Sequence, residues 1–243
     1  MEKILYTEMR PNEFEEALAK APIAYLPLGT LEWHGLHLPL GSDGLQSQGL
    51  FCEMAKRIGG IVLPMLFVGP DVSKEIDGVL YYGMDFYFRH PADKNPVRQM
   101  PGSAYRVTNE LFEALLDGIM YQLARAGFKV VVGHGHGPSN KAFRDIAPKM
   151  KEKYGLDLFT ALNEDAKYGY QSDHAAANET SIMMHFHPEL VDMSELSDDP
   201  AVPPEAVNGE DPRYHASPEM GRAAMEEAID FLLPRIKASL EAK

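Results

Sequence analysis

The sequence predicts an α/β protein, a single domain with a largely parallel sheet flanked by helices. Two observations lead to this fold class. Short apolar runs of strand length alternate with longer segments in which apolar residues recur at helical spacing. The chain has 243 residues, a length that fits one domain with a substantial core. We therefore expect one domain over residues 1–243.

The first half of the domain contains two predicted strands and two predicted helices. Residues 23–29 form an apolar run typical of a short buried strand, and a helix follows at 44–58. Gly59-Gly60 breaks the chain before a second strand at 61–68. Residues 108–126 are predicted as a helix because their apolar residues recur at helical spacing.

The second half continues the same alternation. Gly127 ends the long helix, and Val130-Val131-Val132 follows as a third strand. A final helix begins at Ser217-Pro218-Glu219, where serine is the N-cap and proline takes the first helical position. The remaining predicted elements are a helix at 138–151, a strand at 156–162 and a helix at 173–187.

Two segments lack a clear period. Residues 71–102 are long and aromatic, and a segment of that length in a compact domain is usually functional or an oligomer contact. Residues 194–215 are rich in proline and aspartate and are expected to cross the surface irregularly. We therefore assign no regular elements to either segment.

Composition excludes several classes of function. The net charge of −13 argues against nucleic acid and anionic membranes as partners, since both attract positively charged proteins. There is no run of 18 apolar residues, so we expect no membrane span. The N-terminus does not resemble a signal peptide, and the single cysteine, Cys52, cannot form an internal disulfide. We therefore expect a cytoplasmic protein.

The stretch EWHGLHLPLGSD follows the first predicted strand and is the first candidate site. In an extended segment Glu32 and His34 project to one side, where a carboxylate and an imidazole suit zinc or manganese. Asp43 can return to the same point and bridge two ions, which lie roughly 3.5–4 Å apart in paired sites. The alternatives are an ion pair between Glu32 and His34, and an N-cap role for Asp43.

The stretch GHGHGPSN follows the third predicted strand and is the second candidate site. Carboxyl ends of parallel strands meet at one edge of a sheet, so this loop can face the first one. His136 is the preferred ligand and His134 a supporting residue, and the following helix offers N–H groups for an oxyanion. There are two alternatives to a metal-binding loop. A phosphate-binding loop is a poor one, since no Lys-Ser/Thr ending follows, and the other is a solvent-exposed turn.

The stretch DHAAANETSIMM, residues 173–184, is the third candidate site. On a helix, His174 and Glu179 would project about 140° apart, so they could not bind one ion as a simple pair. Glu179 is expected as a ligand and His174 as a proton donor, with Asp173 orienting the imidazole. The alternatives are that His174 is a surface residue and that Glu179 forms an ordinary salt bridge. His37 is a candidate supporting group.

Together these stretches resemble the creatininase (creatinine amidohydrolase) family. The likeness is carried by E-x-H-G-x-H-L-P-L-G-x-D at 32–43, the Gly/His loop after a strand, and D-H-A-x-x-x-E-T-S at 173–181. It implies a creatininase-like domain, a homo-oligomer that is commonly a hexamer, and two divalent ions such as zinc, manganese or iron. The residues implied as metal ligands are Glu32, His34, bridging Asp43, His136 and Glu179.

The sequence also departs from the family pattern. His134 stands where the family has asparagine, and Ala176-Ala177 replaces the usual Gly-Glu, which removes a carboxylate near the metals. The aromatic residues 71–100 have no counterpart in the usual stretch, whereas Pro101-Gly102-Ser103 resembles the family's Pro-Gly-Thr turn. Because of these departures, the resemblance implies the metal centre but not creatinine itself as the substrate.

The resulting hypothesis is a binuclear metal hydrolase with a small-molecule substrate. Metal-activated water attacks the carbonyl of a small, cyclic or linear amide, and His174, with Asp173, delivers a proton to the leaving group. One alternative keeps the metals but opens a cyclic dicarbonyl, such as a dehydro-inosose of inositol catabolism, by cleaving a carbon–carbon bond. The other is a non-catalytic metal-binding or assembly protein.

Overall fold

The structure is a computed structural model that describes residues 3–83, 86–87, 98–99 and 105–242. Its strands are β1 (Ile23–Leu28), β2 (Ile61–Val62), β3 (Ser73–Ile76), β4 (Val79–Tyr82), β5 (Phe86–Tyr87), β6 (Arg98–Gln99), β7 (Val130–Gly135) and β8 (Asp157–Phe159). Its helices are α1 (Pro11–Lys20), α2 (Ser42–Ile58), α3 (Asn109–Ala126), α4 (Gly137–Asp145), α5 (Ala147–Tyr154), α6 (Ala177–Phe186), α7 (Pro212–His215) and α8 (Pro218–Glu241).

The central sheet is parallel and has the strand order β2-β1-β7-β8. All six residues of β1 and all six of β7 are buried, because helices cover both faces of the sheet. One apolar core, around Tyr25 and Phe51, packs against α2, α6 and α8. The other, around Leu28 and Phe112, packs against α3, α4 and α5. The predicted α/β class with a largely parallel sheet is confirmed.

The carboxyl ends of β1 and β7 lie side by side, and a glycine allows their close approach. Leu28 pairs with Gly135, and His136 N–H donates to the carbonyl of Leu28 over 3.1 Å. A Cβ atom at Gly135 would lie 1.2 Å from that carbonyl oxygen. Only glycine fits there. The loop after β1 and His136 therefore start from the same edge of the sheet.

Three predicted elements are shorter or divided in the structure. The strand expected at 156–162 is regular only at Asp157–Phe159. The strand expected at 61–68 is regular only at Ile61–Val62, because the pairing with β1 then shifts by one residue: Leu63 N–H donates to the Tyr25 carbonyl, but the next donor to β1 is Leu66, to the Pro27 carbonyl. The helix expected at 138–151 is interrupted at Ile146, since Pro148 has no N–H for the carbonyl four residues earlier. Helix α1 (Pro11–Lys20) was not predicted.

The helix expected at 173–187 begins only at Ala177. Before it, His174 forms an antiparallel bridge with Asn208, and its N–H and C=O both bond to that residue, at 3.1 and 2.8 Å. Ala175 has a φ of 51°, which a helix does not allow. The prediction that His174 and Glu179 share one helix is therefore wrong, because tertiary pairing extends the backbone at His174.

The segment at 71–102, expected to be irregular, contains a β-hairpin. Strands β3 and β4 pair antiparallel, and Asp77-Gly78 joins them with φ values of 50° and 80°. Asp-Gly with two positive φ angles is the usual two-residue hairpin turn. The expected Pro101-Gly102-Ser103 turn lies outside the described residues. The segment at 194–215 is mostly irregular, as expected, apart from α7 and a single turn of 3-10 helix at Met193–Glu195.

Among the described residues, the helices are either too short or too polar to cross a lipid bilayer.

Candidate metal centre

Five side chains from four parts of the fold meet at the carboxyl edge of the sheet. Glu32 and His34 lie in the loop after β1, and Asp43 lies in the first turn of α2. His136 follows β7 directly as the N-cap of α4, and Glu179 lies in the first turn of α6. The structure therefore brings together all five residues that the sequence predicted as metal ligands.

Asp43 lies between the two histidines. Its Oδ1 is 3.6 Å from His34 Nε2, and its Oδ2 is 3.4 Å from His136 Nδ1. On one side, His34 Nε2 is also 3.4 Å from Glu179 Oε2; on the other, His136 Nδ1 is 2.9 Å from Glu32 Oε2. Two groups thus share Asp43, Glu32/Asp43/His136 and His34/Asp43/Glu179, and a third, Glu32/His34/His174, lies beside them; in each group the ligand atoms lie within 4.8 Å of one another.

The chemistry of these side chains fits a pair of cations. The five side chains are at most 12% exposed, so the three carboxylates among them are largely cut off from water. His34 Nε2 and Asp43 Oδ2 are buried without a hydrogen-bond partner among the described residues. Buried carboxylates and unpaired ring nitrogens are costly unless a cation binds them. Oxygen and nitrogen ligands together suit zinc or manganese.

The directions of the pKa shifts indicate that this cluster favours positive charge. Burial lowers the pKa of His34, but the carboxylates of Asp43 and Glu179 outweigh it and raise the value to about 10. The pKa of His136 is also raised, against burial, mainly by Glu32. Burial opposes ionisation of Glu32 and Asp43, yet the facing histidines lower the pKa of both. Burial raises the pKa of Glu179.

Polar contacts behind the ligands hold them in place. His34 Nδ1 lies 3.1 Å from the carbonyl of Glu32; donation there directs Nε2, whose proton a metal ion would replace, towards Asp43 and Glu179. Gln171 Nε2 donates to Asp43 Oδ1 over 3.3 Å, and Ser47 Oγ donates to the Gln171 carbonyl oxygen. The sequence analysis missed Gln171, which no local pattern identifies, as it lies 128 residues from Asp43.

His174 lies beside the five predicted ligands and at the cavity. Its Nε2 is 2.9 Å from the carbonyl of Trp33, and its Nδ1 is 3.9 Å from Glu32 Oε1. Its side chain is 31% exposed, more than those of the predicted ligands. Burial lowers its pKa, so the imidazole is neutral near neutral pH.

Asp173 has a different set of contacts from the one expected. Its two oxygens accept hydrogen bonds from the backbone N–H groups of Asn178 (2.7 Å) and Glu179 (3.1 Å). The carboxylate therefore holds the first turn of α6, where a negative charge is favourable. Through that turn it positions Glu179, whose Oε2 also accepts from Ala175 N–H over 2.7 Å.

His134 and His37 are buried near the site. His134 Nδ1 is 2.9 Å from Thr160 Oγ1, and its Nε2 is 3.3 Å from the carbonyl of Tyr170, so it joins β7 to the segment carrying Gln171. His37 Nε2 is 2.8 Å from the hydroxyl of Thr180, the neighbour of Glu179. Burial lowers the pKa of both histidines to about 4, so both are neutral.

A cavity of about 250 Å³ lies over the cluster. Its walls include four of the five predicted ligands, together with His174, Asn140 and Gln171. A larger cavity, about 570 Å³, lies between α1 and α3 and has an almost entirely apolar lining. Because titratable side chains and unpaired polar atoms meet at the smaller cavity, it is the candidate active site.

Comparison with known proteins identifies the family. The sequence model of the creatininase family, described as creatinine amidohydrolase, matches residues 7–233. The chain belongs to the creatininase family. A creatinine amidohydrolase of Pseudomonas putida is 25% identical over 239 residues, which cover 87% of this chain and 83% of that one. The family prediction is thereby confirmed, and the chain is a metal-dependent hydrolase of this family.

Solved structures of creatininases share the fold. A mutant creatininase described as the Zn-Zn type has a TM-score of 0.69 at 21% identity, covering 98% of each chain. A creatininase described as the manganese form has a TM-score of 0.66 at 22% identity, covering 97% of this chain and 98% of that one. A creatinine amidohydrolase homologue from Bacteroides fragilis has a TM-score of 0.68 at 21% identity, covering 98% and 97%.

Proposed function

We propose that this chain hydrolyses a small, cyclic amide-type substrate at a two-metal centre held by five side chains. The observation that carries the proposal is the position of Asp43, whose two oxygens face two separate ligand groups at 3.6 and 3.4 Å. A carboxylate shared in this way is the usual bridge of a binuclear site. The proposed ligands are Glu32, His34, Asp43, His136 and Glu179.

Two divalent ions held there would supply Lewis acidity, which polarises a substrate carbonyl and acidifies water. The protein supplies the geometry. Asp43 sets the distance between the two ligand groups, and Gln171 holds the Asp43 carboxylate. The contact of His34 with the Glu32 carbonyl fixes which nitrogen faces the centre. Zinc and manganese are the favoured ions, because solved creatininases are described with each of them.

His174 is proposed to move the proton in the reaction. Its Nε2 is held by the Trp33 carbonyl, and its Nδ1 is directed towards Glu32 at the cavity. Because the imidazole is neutral, Nδ1 can accept a proton from the attacking water and pass it to the leaving nitrogen. Asp173 supports this arrangement by holding α6. Gly137, at the start of α4, lines the cavity, and the N–H groups of a helix N-terminus are suited to an oxyanion.

The cellular setting and assembly are also proposals. A cytoplasmic location is supported by the single cysteine, since the reducing cytoplasm does not favour structural disulfides. Assembly into a homo-oligomer, expected as a hexamer, is supported by the likeness to creatininases. Light scattering of the purified protein tests the assembly.

Elemental analysis and a substrate panel test the proposed function. The protein is purified without chelator or affinity-tag metal and assayed on cyclic amides, linear amides and cyclic dicarbonyl compounds. We expect about two divalent ions per chain and turnover of a cyclic amide. Turnover confined to cyclic dicarbonyls would replace the amide substrate with carbon–carbon bond cleavage. Failure to bind zinc, manganese or iron would contradict the two-metal centre.

A further inference from the structure

Asp71 is a buried acid beside the site that was not among the predicted site residues. Its side chain is 3% exposed, and its Oδ1 accepts a hydrogen bond from Val72 N–H over 2.7 Å. The same oxygen lies 3.7 Å from Nε2 of His136, a buried nitrogen without a hydrogen-bond partner among the described residues. The other ring nitrogen, Nδ1, is the one that lies 2.9 Å from Glu32 Oε2 and 3.4 Å from Asp43 Oδ2. His136 is therefore placed between the proposed metal centre on one side and a carboxylate on the other.

The backbone around Asp71 is fixed from both directions. Before it, Gly69 N–H donates to the Tyr105 carbonyl, and the Gly69 carbonyl accepts from Val107 N–H over 3.0 Å. After it, Gly83 N–H donates to the Val72 carbonyl over 3.0 Å and closes the β3–β4 hairpin. A Cβ atom at Gly83 would lie 2.8 Å from the Asp71 carboxylate, so the hairpin packs directly on that carboxylate.

We propose that Asp71 is a positioning residue that fixes the ring orientation and tautomer of His136. A carboxylate facing Nε2 favours the tautomer with its proton on that nitrogen, which leaves the lone pair of Nδ1 towards Glu32 and Asp43. The inference rests on the proposed two-metal centre. It gives a role to the hairpin segment, which differs from the usual creatininase stretch.

The contrast with His34 makes the inference specific to one ion. The nitrogen of His34 that faces away from the centre contacts a neutral backbone carbonyl, whereas that of His136 faces a carboxylate. A carboxylate partner makes an imidazole the more basic ligand. Loss of the Asp71 charge should therefore weaken the ion at Glu32/Asp43/His136 and leave the ion at His34/Asp43/Glu179 unchanged.

Zinc titration of the chelator-stripped protein tests the inference. Wild type and Asp71→Asn are titrated with Zn²⁺ in competition with a chromophoric chelator. We expect one of two binding steps to weaken about 10- to 100-fold in the variant and the other to stay unchanged. The matched control is Asp145→Asn. Asp145 lines the same surface cavity as Asp71, but its carboxylate pairs with exposed Lys141 and not with a proposed metal ligand. Both steps should be unchanged in it.

A double-mutant cycle shows whether Asp71 acts through His136. In a His136→Ala background, Asp71→Asn should cause no further loss of zinc affinity, because the group that it positions is gone. Circular dichroism shows whether each variant is folded. If Asp71→Asn does not fold, Asp71→Ser, which keeps an acceptor for Val72 N–H, is titrated in its place with the same expectation.

Three results would overturn the inference: unchanged zinc affinity in Asp71→Asn, equal weakening of both steps, or the same loss with and without His136. Each of these leaves the two-metal proposal standing, provided that wild type binds two zinc ions. Failure of wild type to bind zinc would instead contradict the proposed function and remove the basis of the inference.

Discussion

At the scale of single residues, the two histidines that face Asp43 are oriented through opposite ring nitrogens. His34 directs Nε2 to the centre and His136 directs Nδ1. Each ring has a polar group on its far side, the Glu32 carbonyl at 3.1 Å for His34 and the Asp71 carboxylate at 3.7 Å for His136. The site is thus organised by the protein itself, and its ligands need little rearrangement to bind a cation.

The central position of Asp43 leads to the first prediction. Asp43→Ala removes the carboxylate that faces both histidines, so both ions should be lost together. Elemental analysis of the purified variant should find well under one ion per chain, against about two in wild type. Asp145→Ala, which removes an exposed acid, is the control and should keep both ions. Full metal content in Asp43→Ala would contradict the bridging role.

At the scale of secondary-structure elements, the start of α6 connects stability to the site. The carboxylate of Asp173 accepts two backbone N–H groups of the first turn, and Glu179 lies in that turn. Asp173 was predicted from the sequence as a partner of His174, but its contacts are those typical of a helix cap. Its contribution can be separated experimentally into stability and catalysis.

Substitution of Asp173 provides the second prediction. Asp173→Ala should lower the free energy of unfolding by about 1 kcal/mol, as loss of a helix cap usually does. Asp173→Asn keeps one acceptor oxygen and should lose less. Urea unfolding of the chelator-stripped variants measures both, with exposed Asp230→Ala as the control. A variant that keeps full stability but loses turnover would show instead that Asp173 acts through proton transfer.

The junction of β1 and β7 provides the third prediction. Gly135→Ala would place Cβ 1.2 Å from the Leu28 carbonyl oxygen, so the strands must separate. We expect a loss of roughly 4 kcal/mol or more in the free energy of unfolding. Gly137→Ala is the matched control in the same loop, because its Cβ would have no atom within 4 Å. Similar urea midpoints for the two variants would contradict this packing argument.

At the scale of the whole molecule, part of the acidic charge lies in the interior, where it is most costly. The chain has a net charge of −13, and three of its carboxylates meet in one buried cluster. Burial and mutual repulsion of these groups oppose folding unless protons or metal ions neutralise them. Metal binding and folding should therefore be coupled in this protein.

That coupling gives the fourth prediction. Zinc at about 100 times its dissociation constant should raise the free energy of unfolding by about 2.7 kcal/mol for each site. Urea unfolding with and without chelator measures the gain. In Asp43→Ala the gain should disappear, because the variant keeps neither ion. An equal gain in that variant would show that zinc stabilises the protein at another place.

Sequence patterns succeeded where the evidence was local. The apolar run at 23–29 and the three valines at 130–132 predicted strands of one sheet, and the structure pairs them directly. The motif at 32–43 led to three of the five proposed ligands, which the structure brings together with the other two. The same approach failed at His174, where an Asn208 partner 34 residues away extends the backbone. It also missed the Asp77-Gly78 hairpin, although Asp-Gly between two short strand-like runs is the usual local signal of such a turn.

The sequence by itself determined the fold class, the family and the five candidate ligands, because strand length, glycine spacing and ligand chemistry each depend on a few residues that are close together in the chain. Only the tertiary structure decided which atoms face one another. Gln171 donates to Asp43, from which it is 128 residues distant in the chain, and Asp71 lies beside His136. Asp173 accepts hydrogen bonds from the first turn of α6 and not, as expected, from the His174 ring. These contacts depend on how the elements pack and on where a buried polar atom finds its partner, and no local pattern records either.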